Sequence, residues 1–405
     1  MTDYNSLKSY CQQMTKTGAS VLDNFLLHYA AKREKLEREM ASRLVPYRHI
    51  TQQLDPSWIN LLMTQYIGHR VFKEGGLIGK YLNHSAVKDL ETAKIEYLWL
   101  QARYPWKFSF SVICGNPAQD FYEMEDVFTG EKFLLFSPGV TNILSSNSVC
   151  LWFNLIAYNG RCWQSYGPIA HYQSFEPEDI RYFAAQLNYL EDVEDDADLM
   201  YNVEENPVPY MMLLSGATLP FIVHKEERIV HHIADYFDDE IFNTDRLKEH
   251  FKIEYNKAVY RLSLKEWSEP PHFSTLYYDE KDEALALYAM TRRGFDALVT
   301  HLNNYCGFAL PAEPDLQINP SMFSTAEKIL KKKDHIFDYM SLFEEPPSSP
   351  EDTEIMDKLN EFLALAMPEI NSGRQPDVEA LAKKTGLDPE SAREIISDLL
   401  KKTGR

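Results

Sequence analysis

The amino-acid sequence predicts an α+β protein: a helical N-terminal region, central β-rich units with flanking helices, and a small C-terminal helical bundle on a flexible linker. Apolar residues recur at helical spacing over roughly the first hundred residues. From about residue 107 they alternate instead, as in strands. A segment rich in proline, serine and acidic residues, 341–354, then precedes a second stretch of helical periodicity.

The composition is that of a folded, acidic chain. Its 405 residues are 44% hydrophobic and 25% charged, which is enough apolar material for two or three domains. The formal net charge is −20, and a field of that sign repels phosphate backbones, so we do not expect a nucleic acid as partner. No stretch is long and apolar enough to span a membrane, and residues 1–20 lack a signal-peptide core. We therefore expect a cytoplasmic protein without membrane contact.

Five segments follow from these changes of pattern. A helical N-terminal region covers 1–106, a first β-rich unit with a helix covers 107–205, and a second β-rich unit with helices covers 206–340. A disordered linker is expected over 341–354 and a helical module over 355–405. Because strands followed by a helix occur twice, an ancient duplication stays open.

Helix start signals support several of the predicted helices. Asp55 followed by Pro56 is an N-cap next to the proline that suits the first helical position. A similar start, with acidic residues and a proline, opens a helix over 176–190. The apolar pattern predicts another helix over 291–305, after the second group of strands.

Alternating segments predict two groups of strands. In the first group, 149–157 carries large apolar residues on both faces, so we expect a sheet that is covered on both sides, as in a curled sheet. The second group is expected at 208–214, 219–223, 253–262, 273–278 and 284–290.

A hairpin follows the segment 149–157. Asn159 with Gly160 is the strongest short hairpin signal, because both residues tolerate positive φ, and a two-residue turn there pairs Tyr158 with Arg161. The aromatic side chains around it are suited to the walls of a small-molecule or peptide groove, or simply to a core. The residues expected to line such a groove are Trp152, Tyr158, Arg161, Trp163, Tyr166 and His171.

No pattern in the sequence indicates a metal site or a cofactor. The five cysteines are scattered, no two at the spacing of a zinc knuckle or redox pair, and are predicted to be reduced thiols. His224 and His231 lie too far apart to chelate a metal from one helix, and the acidic run 191–198 lacks the glycine and glutamate of a calcium loop. We expect no metal and no cofactor, and whether the protein is an enzyme stays open.

The C-terminal module is predicted to hold three helices, with a turn at Gly386 and a cap at Asp388. It resembles the helix-turn-helix of transcription factors and is also similar to ubiquitin-associated bundles. Its nine acidic and eight basic residues from 355 onward do not favour a DNA groove. The residues expected to contact another protein are Leu387, Glu390, Arg393 and Glu394.

A short unit in the first β-rich region carries a family resemblance. Asp126, followed by Thr129, Gly130 and Glu131 ahead of an alternating strand, resembles a unit of uncharacterised bacterial proteins that carry the SEC-C zinc motif. The resemblance extends over about 95–175. Because this chain lacks the zinc motif itself, the resemblance implies neither a metal nor an activity.

These observations favour an adaptor. A folded module on a flexible linker reaches a partner at raised effective concentration, so we expect a protein-interaction or regulatory protein that uses its C-terminal module. One alternative is an enzyme or small-ligand binder with a site in the central β-rich region. The other is a DNA-binding regulator that acts through residues 377–402.

Overall fold

The computed structural model describes residues 3–187, 195–237, 247–306, 309–332, 338–343, 350–371 and 374–402. Two compact units form. We call the first, Met1–Ala217 with Gln317–Lys333, the barrel unit, and the second, Thr218–Leu316 with Asp334–Arg405, the sheet unit. Helices and strands occur in both units, which confirms the predicted α+β class.

Helices dominate the N-terminal third and return after each group of strands. The α-helices are α1 Tyr4–Val21, α2 Ala31–Glu34, α3 Leu36–Arg43, α4 Arg48–Thr51, α5 Pro56–Phe72, α6 Ile78–Tyr81, α7 Ser85–Lys88, α8 Thr92–Arg103, α9 Pro138–Leu144, α10 Pro177–Gln186, α11 Asp196–Glu205, α12 Pro207–Met212, α13 Arg292–Cys306, α14 Pro320–Leu330, α15 Pro350–Asn371, α16 Val378–Thr385 and α17 Pro389–Lys402. A π-helix, Leu22–Ala30, joins α1 to α2, and 3-10 turns occur at Val45–Tyr47, Leu213–Gly216, Lys265–Trp267 and Asp338–Phe343.

The strands fall into two groups along the chain. They are β1 Lys107–Ala118, β2 Phe121–Asp126, β3 Lys132–Phe136, β4 Leu151–Tyr158, β5 Trp163–Tyr172, β6 Val223–His224, β7 Glu227–Arg228, β8 His231–Phe237, β9 Phe251–Asn256, β10 Val259–Leu264, β11 Thr275–Asp279, β12 Ala284–Ala289 and β13 Leu316–Ile318.

Strands β1 to β5 close into a barrel with the neighbour order β1-β2-β3-β5-β4. All its pairings are antiparallel except that of β3 with β5, which is parallel and brings Leu135 opposite Trp163. An apolar cluster lies inside the barrel, and α9 contributes Val140 to it. The interior cluster consists of Tyr122, Met124, Phe133, Leu135, Val140, Trp152 and Ile156.

Part of the outer surface of the barrel is also buried, along β1 and β4. Phe110 on β1 stacks on Phe153 of β4 with ring centroids 4.4 Å apart. Helix α5 approaches β5 so closely that a Cβ on Gly68 would lie within 3 Å of the Trp106 and Tyr166 rings. Every residue of β4 before Tyr158 is buried, which confirms the expectation of a curled sheet covered on both faces.

The turn between β4 and β5 differs from the prediction. Tyr158 pairs with Trp163 and not with Arg161, so the loop has four residues and not two. The Asn159 side chain causes this, because its Oδ1 accepts hydrogen bonds from the backbone N–H groups of Arg161 and Cys162, each at 2.9 Å. The Asn-Gly signal therefore located the turn correctly, and the predicted register was wrong.

The main sheet of the sheet unit includes the antiparallel order β8-β12-β11-β10-β9. Leu262, Leu276 and Leu287 from its central strands pack with Phe295 and Leu298 of α13 in one buried cluster. This sheet is open, and its strand order differs from that of the barrel. The two β-rich regions thus do not repeat one topology.

Several predicted strand bounds were wrong. Residues 208–214 form α12 and a 3-10 turn, because Pro207 and Pro209 suit the first turn of a helix and cannot donate to a ladder. The segment 219–223 is irregular up to its last residue, where β6 begins. The segment 253–262 is a hairpin of β9 and β10 and not one strand.

The remaining elements agree with the sequence. The strands predicted at 273–278 and 284–290 appear as β11 and β12, and the helix predicted at 291–305 appears as α13. The helix predicted over 176–190 appears as α10, and its last three predicted residues, 188–190, lie outside the described chain, beyond a turn at residue 187.

The C-terminal module contains the three predicted helices. Its core comprises Phe362, Ala366, Ile370, Ala382, Ala392 and Ile396. Gly386 ends α16 with φ of +71°, and Asp388 accepts a hydrogen bond from the Ser391 backbone N–H, as the turn and cap signals predicted. The predicted linker was partly wrong, since 350–354 are helical, while 344–349 lie outside the described residues.

A candidate ligand cleft between the first helix and the barrel

A cleft of about 550 Å³ lies in the barrel unit, where α1 passes the ends of β3 and β5. Its walls come from three separate parts of the chain: α1, the β3–α9 junction and β5. Phe136 and Ile169 give it apolar surface. The full lining is Gln12, Thr15, Lys16, Phe136, Ser137, Pro138, Gly139, Gln164, Ser165, Gly167 and Ile169.

Hydrogen bonds hold part of the polar lining in place. The Ser165 hydroxyl donates to the Ser137 hydroxyl at 3.1 Å, and the same Ser137 oxygen accepts from the Val140 backbone N–H at 3.3 Å. Gln164 Nε2 donates to Thr15 Oγ1 at 2.9 Å, which ties β5 to α1 across the cleft. These groups are therefore pre-oriented before a ligand arrives.

Two lining side chains are exposed and have no hydrogen-bond or ion-pair partner among the described residues: Lys16 and Gln12. Among the described residues, no carboxylate lines the cleft, and the Lys16 ammonium is the only formal charge in this lining. In a chain of net charge −20, this is a local positive site with neighbouring hydrogen-bond donors. The arrangement suits a small anionic group.

Behind Gln164 lies a buried pair of thiols. Cys11 of α1 and Cys162 of the β4–β5 turn place their Sγ atoms 3.4 Å apart. Asn159 Nδ2 lies within hydrogen-bond distance of both sulfurs, at 3.3 and 3.4 Å, and also donates to Gln164 Oε1 at 2.9 Å. The hydrogen bond between the two thiols lowers the pKa of Cys11 and raises that of Cys162.

The six residues predicted to line a groove do not share one surface. Trp152 lies in the barrel interior, whereas Tyr166 packs outside the barrel on Trp106 with ring centroids 4.1 Å apart. Burial lowers the pKa of His171, which lies beside Trp152 with ring centroids 6.2 Å apart. The cleft uses the neighbours of these residues along β5.

The other three predicted groove residues lie around the β4–β5 turn. Tyr158 packs against Trp163 with ring centroids 5.6 Å apart, and the Lys107 ammonium lies 5.0 Å from the centre of the Trp163 ring. The Arg161 guanidinium lies over the ring of Tyr10 and contributes to the lowered pKa of Cys11. Arg161 is therefore part of the surroundings of the thiol pair.

The residues predicted to contact a partner occupy different environments in the C-terminal module. Leu387 packs against the core of the module. Arg393 is exposed and pairs with Glu379 at 2.7 Å, while Glu390 and Glu394 are exposed. Whether these residues bind a protein stays a prediction.

A smaller cavity, about 170 Å³, lies in the sheet unit and is lined by His224, Lys225, Glu227, Pro270, Pro271, His272 and Arg293. Arg293 pairs with Glu227 at 2.5 Å, so part of its charge is compensated within the protein. Among the residues that the structure describes, no group of three or more His, Cys, Asp and Glu side chains could hold a metal ion. None of the described helices is long and apolar enough to cross a membrane.

The strand order of the barrel is similar to a known connectivity. A five-stranded barrel that closes between β1 and β4, with a helix between β3 and β4, has the connectivity of OB-type barrels, a fold that supports many functions. No protein-family model, no curated protein and no solved structure matches this chain. The resemblance of residues 95–175 to SEC-C proteins therefore stays a prediction.

Proposed function

We propose that the barrel unit binds a small molecule that carries a carboxylate or phosphate group, in the cleft between α1 and the barrel. The observation that carries this proposal is the Lys16 ammonium, which has no ion-pair partner among the described residues and lies in a cleft without a carboxylate. The anionic group of the ligand forms an ion pair with this ammonium. Gln12 adds an amide donor beside it.

The dimensions and walls of the cleft support a small ligand. A volume of about 550 Å³ falls within the usual range for small-molecule sites. Phe136 and Ile169 offer apolar surface for the body of the ligand, while Lys16 and Gln12 address its polar end. An extended nucleic acid is disfavoured by the net charge of −20.

Binding without acid–base chemistry is the function that this lining supports. General acid or base catalysis needs a group that exchanges protons near neutral pH, which is most often an imidazole, a carboxyl or a thiol. Among the described residues that line the cleft there is no imidazole, carboxyl or thiol. The Ser165 hydroxyl donates its hydrogen to the Ser137 hydroxyl and not to a base.

Thermal melting against a panel of small carboxylates and phosphate esters tests the proposal, followed by calorimetric titration of the compounds that respond. A ligand at about 100 times its Kd stabilises the folded state by about 2.7 kcal/mol. We expect Lys16→Glu to weaken binding at least tenfold, since it places a like charge against the anion. Lys32→Glu is the matched control, because Lys32 is also exposed in the N-terminal helical region and lies outside the cleft.

Two results contradict the proposal. One is a panel in which no anionic compound raises the melting temperature of the wild-type chain. The other is a Lys16→Glu chain that binds the responding compound as tightly as the Lys32→Glu chain does.

A second candidate is the predicted adaptor role of the C-terminal module. The observation that favours it is that α15, α16 and α17 share a buried core of their own. DNA binding through residues 377–402 is less favoured, because Arg393 is paired with Glu379 and its neighbours Glu390 and Glu394 are exposed. Affinity capture with the full chain and with a chain that ends at residue 345 tests the adaptor role, and identical sets of captured proteins would exclude it.

A further inference from the structure

We infer that Cys11 and Cys162 are a dithiol that hydrogen peroxide oxidises to a disulfide. This disulfide fastens α1 to the turn between β4 and β5. The inference is independent of whether the cleft binds a ligand. It rests on the placement of two thiols, 151 residues apart in the chain, with their sulfurs 3.4 Å apart. A disulfide bond of about 2.05 Å requires the sulfurs to approach by a little more than 1 Å.

The pair lies in a buried cluster with Leu7, Phe121 and Phe136, but a polar side chain also reaches both sulfurs. An apolar core offers sulfur no hydrogen bond, whereas here Asn159 Nδ2 reaches both sulfurs. Asn159 is itself fixed by the turn, since its Oδ1 accepts from the backbone N–H groups of Arg161 and Cys162. Tyr10 donates its hydroxyl hydrogen to the Asn159 carbonyl oxygen at 2.6 Å, which further fastens α1 to this turn.

The two thiols have different chemical roles. When Cys11 is ionised, the Cys162 S–H donates to its sulfur, and this hydrogen bond is the main cause of the lowered pKa of Cys11, with the Asn159 amide and the Arg161 guanidinium adding to it. A thiol with a lowered pKa is the better nucleophile at neutral pH, because the thiolate is the reactive form. Cys11 is therefore the attacking sulfur, and Cys162 resolves the intermediate.

The oxidation is balanced with one molecule of hydrogen peroxide. The Cys11 thiolate attacks one peroxide oxygen, the O–O bond breaks, and the departing hydroxide takes a proton to become water. Cys162 sulfur then attacks the sulfenic acid on Cys11, the S–O bond breaks, and the hydroxyl leaves as a second water with the Cys162 proton. Two thiols are oxidised to one disulfide and the peroxide is reduced to two waters.

Gln164 lies between the cleft and the thiol pair and links the two through its hydrogen bonds. Both thiols are buried, but the Gln164 side chain, which donates to the Cys11 carbonyl oxygen at 3.2 Å, also lines the cleft. Hydrogen peroxide is nearly as small as water, and we infer that a transient displacement of the Gln164 side chain helps to admit it to the sulfurs. Gln164→Ala removes the barrier and is expected to speed the oxidation several-fold.

The experiment treats the folded full chain with hydrogen peroxide, blocks the remaining thiols in denaturant and analyses intact protein and peptides by mass spectrometry. We expect a chain two hydrogen atoms lighter, with two of its five cysteines protected from alkylation and the Cys11 peptide linked to the Cys162 peptide. Dithiothreitol should restore all five. The oxidised chain should also show slower amide exchange in α1.

Variants distinguish this pair from other thiol chemistry. Cys11→Ser and Cys162→Ser each should abolish the linked peptides, whereas Cys114→Ser, which alters an exposed thiol, should leave them unchanged. The wild-type result stands even if a variant fails to fold. Alkylation of both Cys11 and Cys162 after the peroxide treatment would overturn the inference, as would a linkage of Cys11 to any other cysteine.

Discussion

The barrel unit and the sheet unit each bury a titratable side chain, but the two groups carry opposite charges when ionised. In the barrel unit, Asp179 on α10 is buried and accepts hydrogen bonds from the backbone N–H and the side-chain amide of Asn319. In the sheet unit, His231 on β8 is buried beside the Tyr288 hydroxyl, 2.9 Å away. Burial favours the neutral form of both, so acid should affect the two units in opposite directions.

The two units also differ in how they cover their strands. The barrel closes on itself, so β4 is buried on its inner and its outer face, and aromatic side chains fill both. In the open sheet, β10 is fully buried only at Val259, Leu262 and Leu264, and its other side chains are partly exposed. A closed barrel therefore loses more packing when one large side chain is removed.

The largest expected effect tests this packing. Phe110→Ala removes a buried ring that stacks on Phe153 and meets Phe128 edge-on at a centroid distance of 5.7 Å. We expect the free energy of unfolding of the barrel unit to fall by about 3–5 kcal/mol, through lost contacts and the cavity left behind. Hydrogen exchange at the β4 amides measures it.

The matched control for this change is Trp99→Ala, because Trp99 is a large aromatic residue of α8 that is about half exposed. We expect its effect to stay within about 0.5 kcal/mol. A Phe110→Ala chain whose β4 amides exchange as slowly as those of Trp99→Ala would show that the outer face of the barrel is not a tightly packed core.

Local signals in the sequence predicted more of this fold than non-local ones could. The Asp55 and Asp388 caps and the Gly386 turn depend on a few neighbouring residues, and all three appear in the structure. The barrel closes because β3 pairs with β5. The alternation of apolar residues along each strand does not reveal which strands pair.

The cleft and the thiol pair were missed for the same reason. Lys16 and Ser165 line one cleft, and Cys11 contacts Cys162, although about 150 residues separate the members of each pair. No spacing rule connects such positions, because only the folded barrel and the packing of α1 bring them together. The aromatic hairpin drew attention to β5, but the pattern could not tell which β5 residues face α1.

The pH dependence of the barrel unit provides the second test. The pKa of the Asp179 carboxyl is raised to about 7, mainly because the group is buried. Nearby Glu176 also raises this pKa, whereas the hydrogen bonds from Glu176 and Asn319 lower it. The folded state therefore binds a proton more tightly than the unfolded state, whose pKa is near 3.8. The stabilisation is complete below pH 4 and is lost as the pH rises through 7, with a change on the order of 4 kcal/mol.

Asp179→Asn isolates this contribution, because its side chain does not titrate. Urea denaturation at pH 4 to 8 gives the unfolding free energies of the wild-type chain and of this variant. We expect the wild-type chain to lose stability relative to the variant as the pH rises. A difference that is constant over this range would mean that Asp179 is ionised in the folded state throughout, held so by Asn319.

The sheet unit should respond in the opposite direction. Burial, helped by the neighbouring His232, lowers the pKa of His231 to about 4, below its ordinary value of 6.5. The unfolded state therefore binds the proton more tightly, so the stabilisation is present above pH 6.5 and is lost as the pH falls through 4. The loss is expected to be about 3 kcal/mol.

Hydrogen exchange at the β11 amides, followed from pH 7 to pH 4 and corrected for the intrinsic pH dependence of exchange, measures this loss. His231→Gln keeps a polar side chain near the Tyr288 hydroxyl without a titrating ring, so it should remove most of the acid sensitivity. Equal acid sensitivity of the β11 amides in both chains would assign the effect to another group of the sheet unit.

The hairpin turns of the two units differ in which residue types adopt positive φ. The four-residue turn of the barrel unit places Gly160 at φ +96°, where a Cβ would approach the Tyr10 hydroxyl to 3.2 Å. The turn between β9 and β10 has two residues, Lys257 and Ala258, both with positive φ, as type I′ turns require. Gly160→Ala should therefore destabilise the barrel unit by about 1–2 kcal/mol.

The smallest effect is expected from the reverse change in the sheet unit. Ala258 adopts φ of +71°, which costs an L-residue about 1 kcal/mol or more, and glycine avoids this cost although it gains more freedom in the unfolded chain. We expect Ala258→Gly to raise the unfolding free energy of the sheet unit by about 0.5–1 kcal/mol, measured by exchange of the β10 amides. A decrease instead would show that strand pairing beside the turn, and not backbone strain within it, limits the stability of this hairpin.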